Sequence, residues 1–223
     1  MTEKTDSSER WKNLALVLTV AAAVLAAVVA GLSADAGIIA SEANSESQMY
    51  AIQVSGELER VGLANTYEMG TLASYVRDLD EAIKMQALAI DLKSEGKTAE
   101  ADLAQVQVEA AMARTQRAKT LSVLFTDPRY ANADGMPNAS QYITDTHSVA
   151  QGLLAKQNEA ADTFQKWNAK TDSYAAILTM LAVILLIFGL GQAVSPGLRL
   201  PFILFGSLGM AAVVVWVVRV VVT

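Results

Sequence analysis

Three long apolar stretches divide the chain, one near its beginning and two close together at its end. A helix rises by about 1.5 Å per residue, so each stretch is long enough to cross a hydrocarbon core of about 30 Å. From Tyr174 to Val222 the only formal side-chain charges are Arg199 and Arg219. The pattern predicts three transmembrane helices, over residues 13–33, 174–194 and 201–222.

Between the first and second spans, apolar residues recur at helical spacing among polar and charged ones. The clearest case is Leu72 to Lys93, which is followed by a turn in which Gly96 can take a left-handed conformation. A second helix is expected from Thr98 to about Phe125, and Asp-Pro and Asp-Gly pairs mark a loop over residues 126–138. Asn138 or Ser140 then caps a helix that continues into the second span.

These elements predict an all-α fold with three transmembrane helices and a long extramembrane helical hairpin or bundle of coiled-coil type. We expect the first and second spans to extend from the membrane as long antiparallel helices, with the Leu72–Phe125 hairpin packed on them. The remaining predicted segments are a polar N-terminal tail over residues 1–12, an extramembrane domain over residues 34–173 and a short connection over residues 195–200.

Charge and cysteine content narrow the function of the middle segment. Residues 35–172 hold 20 acidic and 12 basic side chains, a net charge of −8. Such a segment is repelled by nucleic acid and by anionic lipid, so no nucleic-acid partner is predicted. The chain contains no cysteine, which excludes disulfides, thiolate metal sites and cysteine catalysis.

The distribution of basic residues predicts the orientation. Lys4, Arg10 and Lys12 precede the first span, whereas all the charged residues between this span and Arg60 are acidic. By the positive-inside rule the N-terminus is cytoplasmic and the helical domain is extracytoplasmic. Lys166 and Lys170, before the second span, favour the reverse. The first span also has an alternative interpretation as a signal peptide, but its apolar run is long for one and acidic residues precede it.

Particular residues are expected to pack or anchor the spans. Small residues allow helices to approach closely, and the second and third spans contain Gly189, Gly191, Gly206 and Gly209. Aromatic and basic side chains are typical of the membrane interface. The predicted interfacial anchors are Trp11, Lys12, Trp167, Tyr174, Arg199 and Arg219.

No catalytic, cofactor-binding or metal-binding constellation is predicted. His147 is the only histidine, and no Glu-x-x-His pair accompanies it. Asp78, Asp80 and Glu81 form an acidic cluster, but a solvated helix face explains it better than a calcium loop, whose ligands alternate around a glycine. Nucleotide-binding glycine motifs and a hydrolase elbow are also absent from the sequence.

Two patches resemble small uncharacterised bacterial membrane proteins that have one N-terminal span, a helical segment and two C-terminal spans. The patches are AGIIASEANSESQMYAIQV (Ala36–Val54) and NAKTDSYAAILTMLAVILLIFGLG (Asn168–Gly191). The resemblance implies this architecture only, and it supplies no site residues. The expected location is a bacterial inner or plasma membrane.

The sequence favours a non-enzymatic membrane protein, a homo-oligomeric scaffold or anchor that presents its helical domain to a protein partner. Thin helical bundles leave apolar stripes that self-association can bury. An oligomeric pore and a sensor-like accessory subunit are the alternatives. A pore needs a polar or small-residue face on a span, and a sensor needs an output domain on the other side of the membrane.

Overall fold

The computed structural model describes residues 3–132, 135–195 and 198–222, with side chains from residue 9 onward. This part of the chain is helical and contains no β-strand, only an isolated bridge between Ala131 and Pro137. The α-helices are α1 (Glu3–Ser94), α2 (Thr98–Leu121), α3 (Val123–Thr126), α4 (Ala139–Ala193) and α5 (Arg199–Val222). A 3₁₀ turn covers Pro128–Tyr130. The predicted all-α fold is therefore confirmed.

Helix α1 is longer and less interrupted than the sequence pattern suggested. It begins at Glu3, so Ser7 and Ser8, which could have capped a later start, lie within it. It also continues without a break through Gly70 into the Leu72–Lys93 stretch. An interior glycine costs only about 1 kcal/mol relative to alanine, and no proline occurs in this segment to end the helix.

The helix ends as predicted at the turn of residues 95–97. Gly96 has a φ of 79°, the left-handed conformation that glycine adopts without steric cost. The amide of Lys97 donates to the carbonyl of Leu92 at 3.0 Å, which satisfies one of the last carbonyls of α1.

The chain forms two compact units, and α1 and α4 contribute to both. The first unit comprises residues 1–49 and 156–223, and the second comprises residues 50–155. In the first unit, small side chains of α1 are buried at intervals of seven residues and pack in one apolar core with α4 and α5. The α1 members of this core are Ala22, Val29 and Ala36, and the α4 and α5 members are Tyr174, Ile177, Leu181, Ile184, Phe188, Val213 and Val220.

In the second unit the same interval recurs along α1 and is matched on α2. Buried positions of α1 lie seven residues apart at Val61, Glu68, Tyr75, Ala82 and Ala89. Those of α2 alternate by three and four residues, at Ala101, Ala104, Val108, Ala111 and Thr115. Because most of these side chains are small, α1 and α2 can pack closely along the hairpin.

Helix α2 ends at Leu121, four residues before the predicted end, because Ser122 has an extended backbone (φ −106°, ψ 130°). Glu68 of α1 explains the break. Its buried carboxylate accepts hydrogen bonds from the Ser122 hydroxyl and from the backbone amides of Val123, at 3.1 Å, and Leu124, at 3.4 Å. These amides begin α3, where no intrahelical acceptor exists for them, so a carboxylate from a distant helix supplies the cap.

The segment after the break folds onto α1 and the start of α4. Leu124, Tyr130 and Tyr142 form a small core, with Tyr130 and Tyr142 packed edge to face at 5.2 Å. Burial raises the pKa of both tyrosines, and for Tyr142 the charge of Glu68 adds to the effect. Asn138 caps α4 by accepting a hydrogen bond from the Gln141 amide at 3.0 Å, as one of the two predicted caps.

The connection before α5 is shorter than the predicted 195–200 segment, because α5 begins at Arg199. Pro201 consequently lies in the first turn of a helix, where a missing amide hydrogen removes no intrahelical bond. Pro196 and Gly197, which were expected to shape this connection, lie outside the described residues.

Replacing Glu68 tests the account of the Ser122 break. Glu68→Ala removes the acceptor of two amides and a hydroxyl, and we expect it to lower the free energy of unfolding by about 2 kcal/mol. Amide hydrogen exchange of residues 122–126 should accelerate, as measured by mass spectrometry on the detergent-solubilised chain. Glu59→Ala, an exposed carboxylate on the same helix, is the control and should leave this segment unchanged. Equal exchange in both variants would contradict the capping role of Glu68.

Candidate functional site

Gly206 of α5 packs directly against the ring of Phe188 of α4. A Cβ atom at this position would lie 2.8 Å from Cδ1 of Phe188 and closer still to Cε1. Phe188 is fully buried in the core of the first unit, so its ring has little freedom to move aside. Only glycine fits against the ring at this packing distance.

The other glycines of these two helices differ in their surroundings. A Cβ at Gly209 would lie 3.2 Å from Cγ1 of Ile184, and one at Gly191 would lie 3.2 Å from Cβ of Phe202. At Gly189 no heavy atom lies within 4 Å of that position. Three of the four glycines therefore lie where the helices are close, and Gly189 faces open space.

The glycines of α1 have no such close neighbours. No heavy atom lies within 4 Å of a Cβ built on any of five positions, which are Gly31, Gly37, Gly56, Gly62 and Gly70. Within the described residues, the close approach to α1 comes instead from buried alanines, such as Ala22 and Ala36.

A polar contact joins the first and second apolar helices. The side-chain amide of Gln192 donates to the hydroxyl of Thr19 at 3.1 Å, and that hydroxyl donates to the carbonyl of Ala15 at 2.7 Å. This pair was not predictable from the sequence, because 173 positions separate the two residues. In an apolar environment such a contact is worth about 0.6 kcal/mol and fixes the register of the two helices.

The residues expected at the membrane interface occupy different environments. Trp11, Lys12 and Arg219 are exposed, and Arg219 lies in the last turn of α5, where a cation interacts favourably with the helix dipole. Trp167 is half-buried, with the ammonium of Lys170 5.0 Å from its ring centroid.

Two of these expected anchors form internal contacts. Tyr174 is only 4% exposed and belongs to the core of the first unit. Nε of Arg199 donates to the carbonyl of Val194 at 3.2 Å, which bridges the end of α4 and the start of α5.

A groove of about 380 Å³ is lined by residues of α4 and α5. Its lining is almost entirely apolar and includes Met180, Val183, Ile187, Phe205 and Leu208. Ile187 and Phe205 also line a second groove, next to Pro201 and Phe202. Thr179 also lines the first groove, and its hydroxyl donates to the carbonyl of Ala175 at 2.9 Å within α4.

The acidic cluster of α1 is occupied by ion pairs. Glu81 accepts a hydrogen bond from the Arg114 guanidinium of α2 at 2.8 Å, and Asp78, which is buried, lies 3.5 Å from Nε of Arg114. Asp80 pairs with Lys84 at 2.6 Å. Asp78 and Glu81 thus connect α1 to α2, whereas Asp80 pairs within α1.

His147 contacts its own helix. Its Nδ1 lies 2.7 Å from the carbonyl oxygen of Ile143, so the ring donates this hydrogen bond within α4. Across the described residues, no group of three or more histidine, cysteine or acidic side chains could hold a metal ion. The histidine therefore has a structural contact, and no chemistry is assigned to it.

The surface of the second unit exposes many large apolar side chains. Ile52 is 74% exposed, Leu63 68% and Leu103 63%, although all three lie on helices of the acidic middle segment. Other exposed apolar residues of this unit include Leu58, Tyr67, Val76, Ile83, Ile90, Val106, Met112 and Val149. Isolated exposed apolar residues are ordinary, whereas extended exposed apolar surface is typical of interaction sites.

Three described helices, α1, α4 and α5, are long and apolar enough to cross a membrane. Together with the apolar core that joins them, they are consistent with an all-helical membrane protein. No protein-family model matches the chain, and no match was found among curated proteins or solved structures. The resemblance to small bacterial membrane proteins therefore stays a prediction.

Gly206→Ala tests whether the α4–α5 contact requires glycine. The added Cβ must displace the buried Phe188 ring, and we expect a loss of about 1–3 kcal/mol in the free energy of unfolding. Gly189→Ala is the matched control, because its Cβ meets no neighbour and alanine favours helix by up to about 1 kcal/mol. Thermal unfolding in detergent should show a lower midpoint for Gly206→Ala only. Equal midpoints for the two variants would contradict the assigned contact.

Proposed function

We propose that this chain is a non-enzymatic integral membrane protein, a homo-oligomeric scaffold or anchor that presents a helical extramembrane domain to a protein partner. One observation carries the proposal. Large apolar side chains are exposed along the helices of the second unit, beyond the apolar stretches predicted to lie in lipid. Exposed apolar surface of this extent is unfavourable in water and is typical of interaction sites.

The membrane part of the proposal is supported by the composition of the outward faces in the first unit. Val17, Leu208 and Val215 are each more than 60% exposed, and the described residues around them are apolar. Such faces are stable in contact with the hydrocarbon chains of lipids and unfavourable in contact with water. The three apolar helices also satisfy their own backbone hydrogen bonds, as spanning segments must.

The proposed coiled-coil-like packing is supported by the spacing of buried residues, both in the second apolar span and on α2 of the hairpin. Along α4 the buried positions alternate by three and four residues, at Tyr174, Ile177, Leu181, Ile184 and Phe188. The same alternation occurs on α2. This is the spacing of a left-handed helical seam, and sequences of this type readily associate with further helices.

The proposed orientation has the N-terminus in the cytoplasm and the helical domain on the other side, in a bacterial inner or plasma membrane. Arg10 and Lys12 precede the first apolar stretch, and Asp35, Glu42 and Glu46 follow it. Cations are retained on the cytoplasmic side during insertion, so this asymmetry favours the proposed direction.

Native mass spectrometry of the chain, extracted in mild detergent from its own membrane, tests the proposed function. We expect a discrete homo-oligomer that carries at least one additional protein, because both kinds of contact would cover the exposed apolar positions. A single copy with no associated protein would contradict the scaffold.

Labelling of a single cysteine tests the orientation. The chain has no cysteine, so Ser140→Cys, at an exposed position in the first turn of α4, provides a unique thiol. An impermeant maleimide should label it in intact cells. A cysteine introduced at the exposed Trp11 is the control and should react only after lysis. The opposite pattern would reverse the proposed topology.

A further inference from the structure

The hairpin of α1 and α2 carries a second set of apolar positions, on the side of α2 that faces away from α1. Ala99, Leu103, Val106, Ala110 and Ala113 are all exposed and alternate by four and three residues. We call these five residues the α2 outer stripe. Leu103 and Val106 are 63% and 61% exposed, whereas Ala104 and Val108, on the opposite face, are buried against the hairpin.

Helix α1 carries a matching set on its own outward side. Val76, Ile83, Ala87 and Ile90 are exposed, and we call them the α1 outer stripe. Asp80 occupies the position between Val76 and Ile83 at the same spacing. Each stripe has the spacing of one half of a helix-packing seam. The hairpin buries its inner seam and cannot bury either outer stripe by itself.

The two stripes lie at the same level of the hairpin. Arg114 of α2 pairs with Glu81 of α1, and the Lys119 ammonium lies 5.3 Å from the ring centroid of Tyr75. These contacts fix the antiparallel register, so Leu103 lies level with Ile90 to within one helical turn. Ala110 lies level with Ile83 to within the same margin. When two hairpins stand side by side, the small Ala110 thus faces the large Ile83, and Leu103 and Ile90 form a pair of large apolar side chains.

Opposite charges complete the match at one end. Arg117 follows Ala113 by four residues and continues the α2 outer stripe. It is exposed, and it forms no ion pair within the described residues. Asp80, in the α1 outer stripe, lies within one turn of the same level. Its exposed pair with Lys84 leaves carboxylate lone pairs for a second cation.

From this arrangement we infer that the α2 outer stripe of one copy packs against the α1 outer stripe of the next copy, with Arg117 paired to the neighbour's Asp80. This inference rests on the self-association in the proposed function and assigns its contact surface. The two faces are different, so the contact is heterologous, and its repetition generates a ring or a row of copies.

A two-fold pairing of α2 with α2 is less favourable. Copies inserted in one membrane have the same direction, so their α2 helices would run parallel. Glu100, Asp102 and Glu109 of one copy would then lie beside the same acidic residues of the other, and Arg117 would lie beside Arg117. Like charges at equal level destabilise a helix pair, whereas the side-by-side arrangement joins opposite charges.

Charge reversal tests the assigned surface. We expect Arg117→Asp or Asp80→Arg alone to weaken self-association roughly three- to tenfold, because each variant opposes like charges across every contact. The double variant should recover association to within about twofold of the unmodified chain. Arg60→Asp, a charge reversal on α1 outside both stripes that removes a local pair with Glu57, is the control and should leave self-association unchanged. Native mass spectrometry over a dilution series measures the self-association of all four variants. Circular dichroism verifies that each variant is folded.

Each outcome decides the inference. The assigned surface is wrong if both single variants form the same oligomers as the unmodified chain, or if the double variant associates no more strongly than the single variants. Either result would leave the proposed scaffold intact. An unmodified chain that is a single copy at every concentration overturns both. The single variants could instead lose a bound foreign protein that the double variant does not regain. That result would show that this protein occupies the stripes, and it would also overturn the inference.

Discussion

Small side chains at seven-residue intervals along α1 set how closely the other helices approach it. In the first unit these residues are Ala22, Val29 and Ala36, and in the second the interval returns with Ala82 and Ala89. Buried apolar area is the main favourable term in folding, and close helix contact also increases dispersion between neighbouring atoms. In each unit, these small residues of α1 therefore allow close helix packing.

Packing along these small residues leaves much of the helical surface outside the helix contacts. A pair of helices buries only one stripe of each, so the outward faces of α1 and α2 retain Ile83, Ile90, Leu103 and Val106. Apolar faces are stable in contact with lipid, whereas those of the proposed extramembrane domain are unfavourable in water and would be buried by another protein surface. This difference in solvent links the fold to the proposed scaffold.

Periodicity was sufficient to predict the elements that depend on local sequence. The all-α fold, the Gly96 turn and three helices of spanning length follow from apolar spacing and turn residues, and each occurs in the structure. The Ser122 break was not predictable in this way, because its cause is a carboxylate 54 residues away in the sequence. Position 68 lies on the seven-residue interval between Val61 and Tyr75, which was the available signal, but a glutamate there resembles an exposed residue.

Side-chain type was also a weak guide to the environment of individual site residues. Tyr174 resembles an interfacial tyrosine in sequence, yet it is buried among the apolar helices. Glycine alone did not indicate close packing either, since Gly206 contacts Phe188 and Gly189 faces open space. These distinctions depend on which face of each helix meets its neighbour, and that is determined by tertiary packing.

The number of copies in an undisturbed membrane patch tests the central claim most directly. A fluorophore can be attached to a single introduced cysteine, and patches of native membrane can be captured in polymer nanodiscs at low density. Stepwise photobleaching then counts the chains in each disc. The account predicts a narrow distribution centred on more than one copy, independent of expression level. A distribution centred on one copy would contradict it.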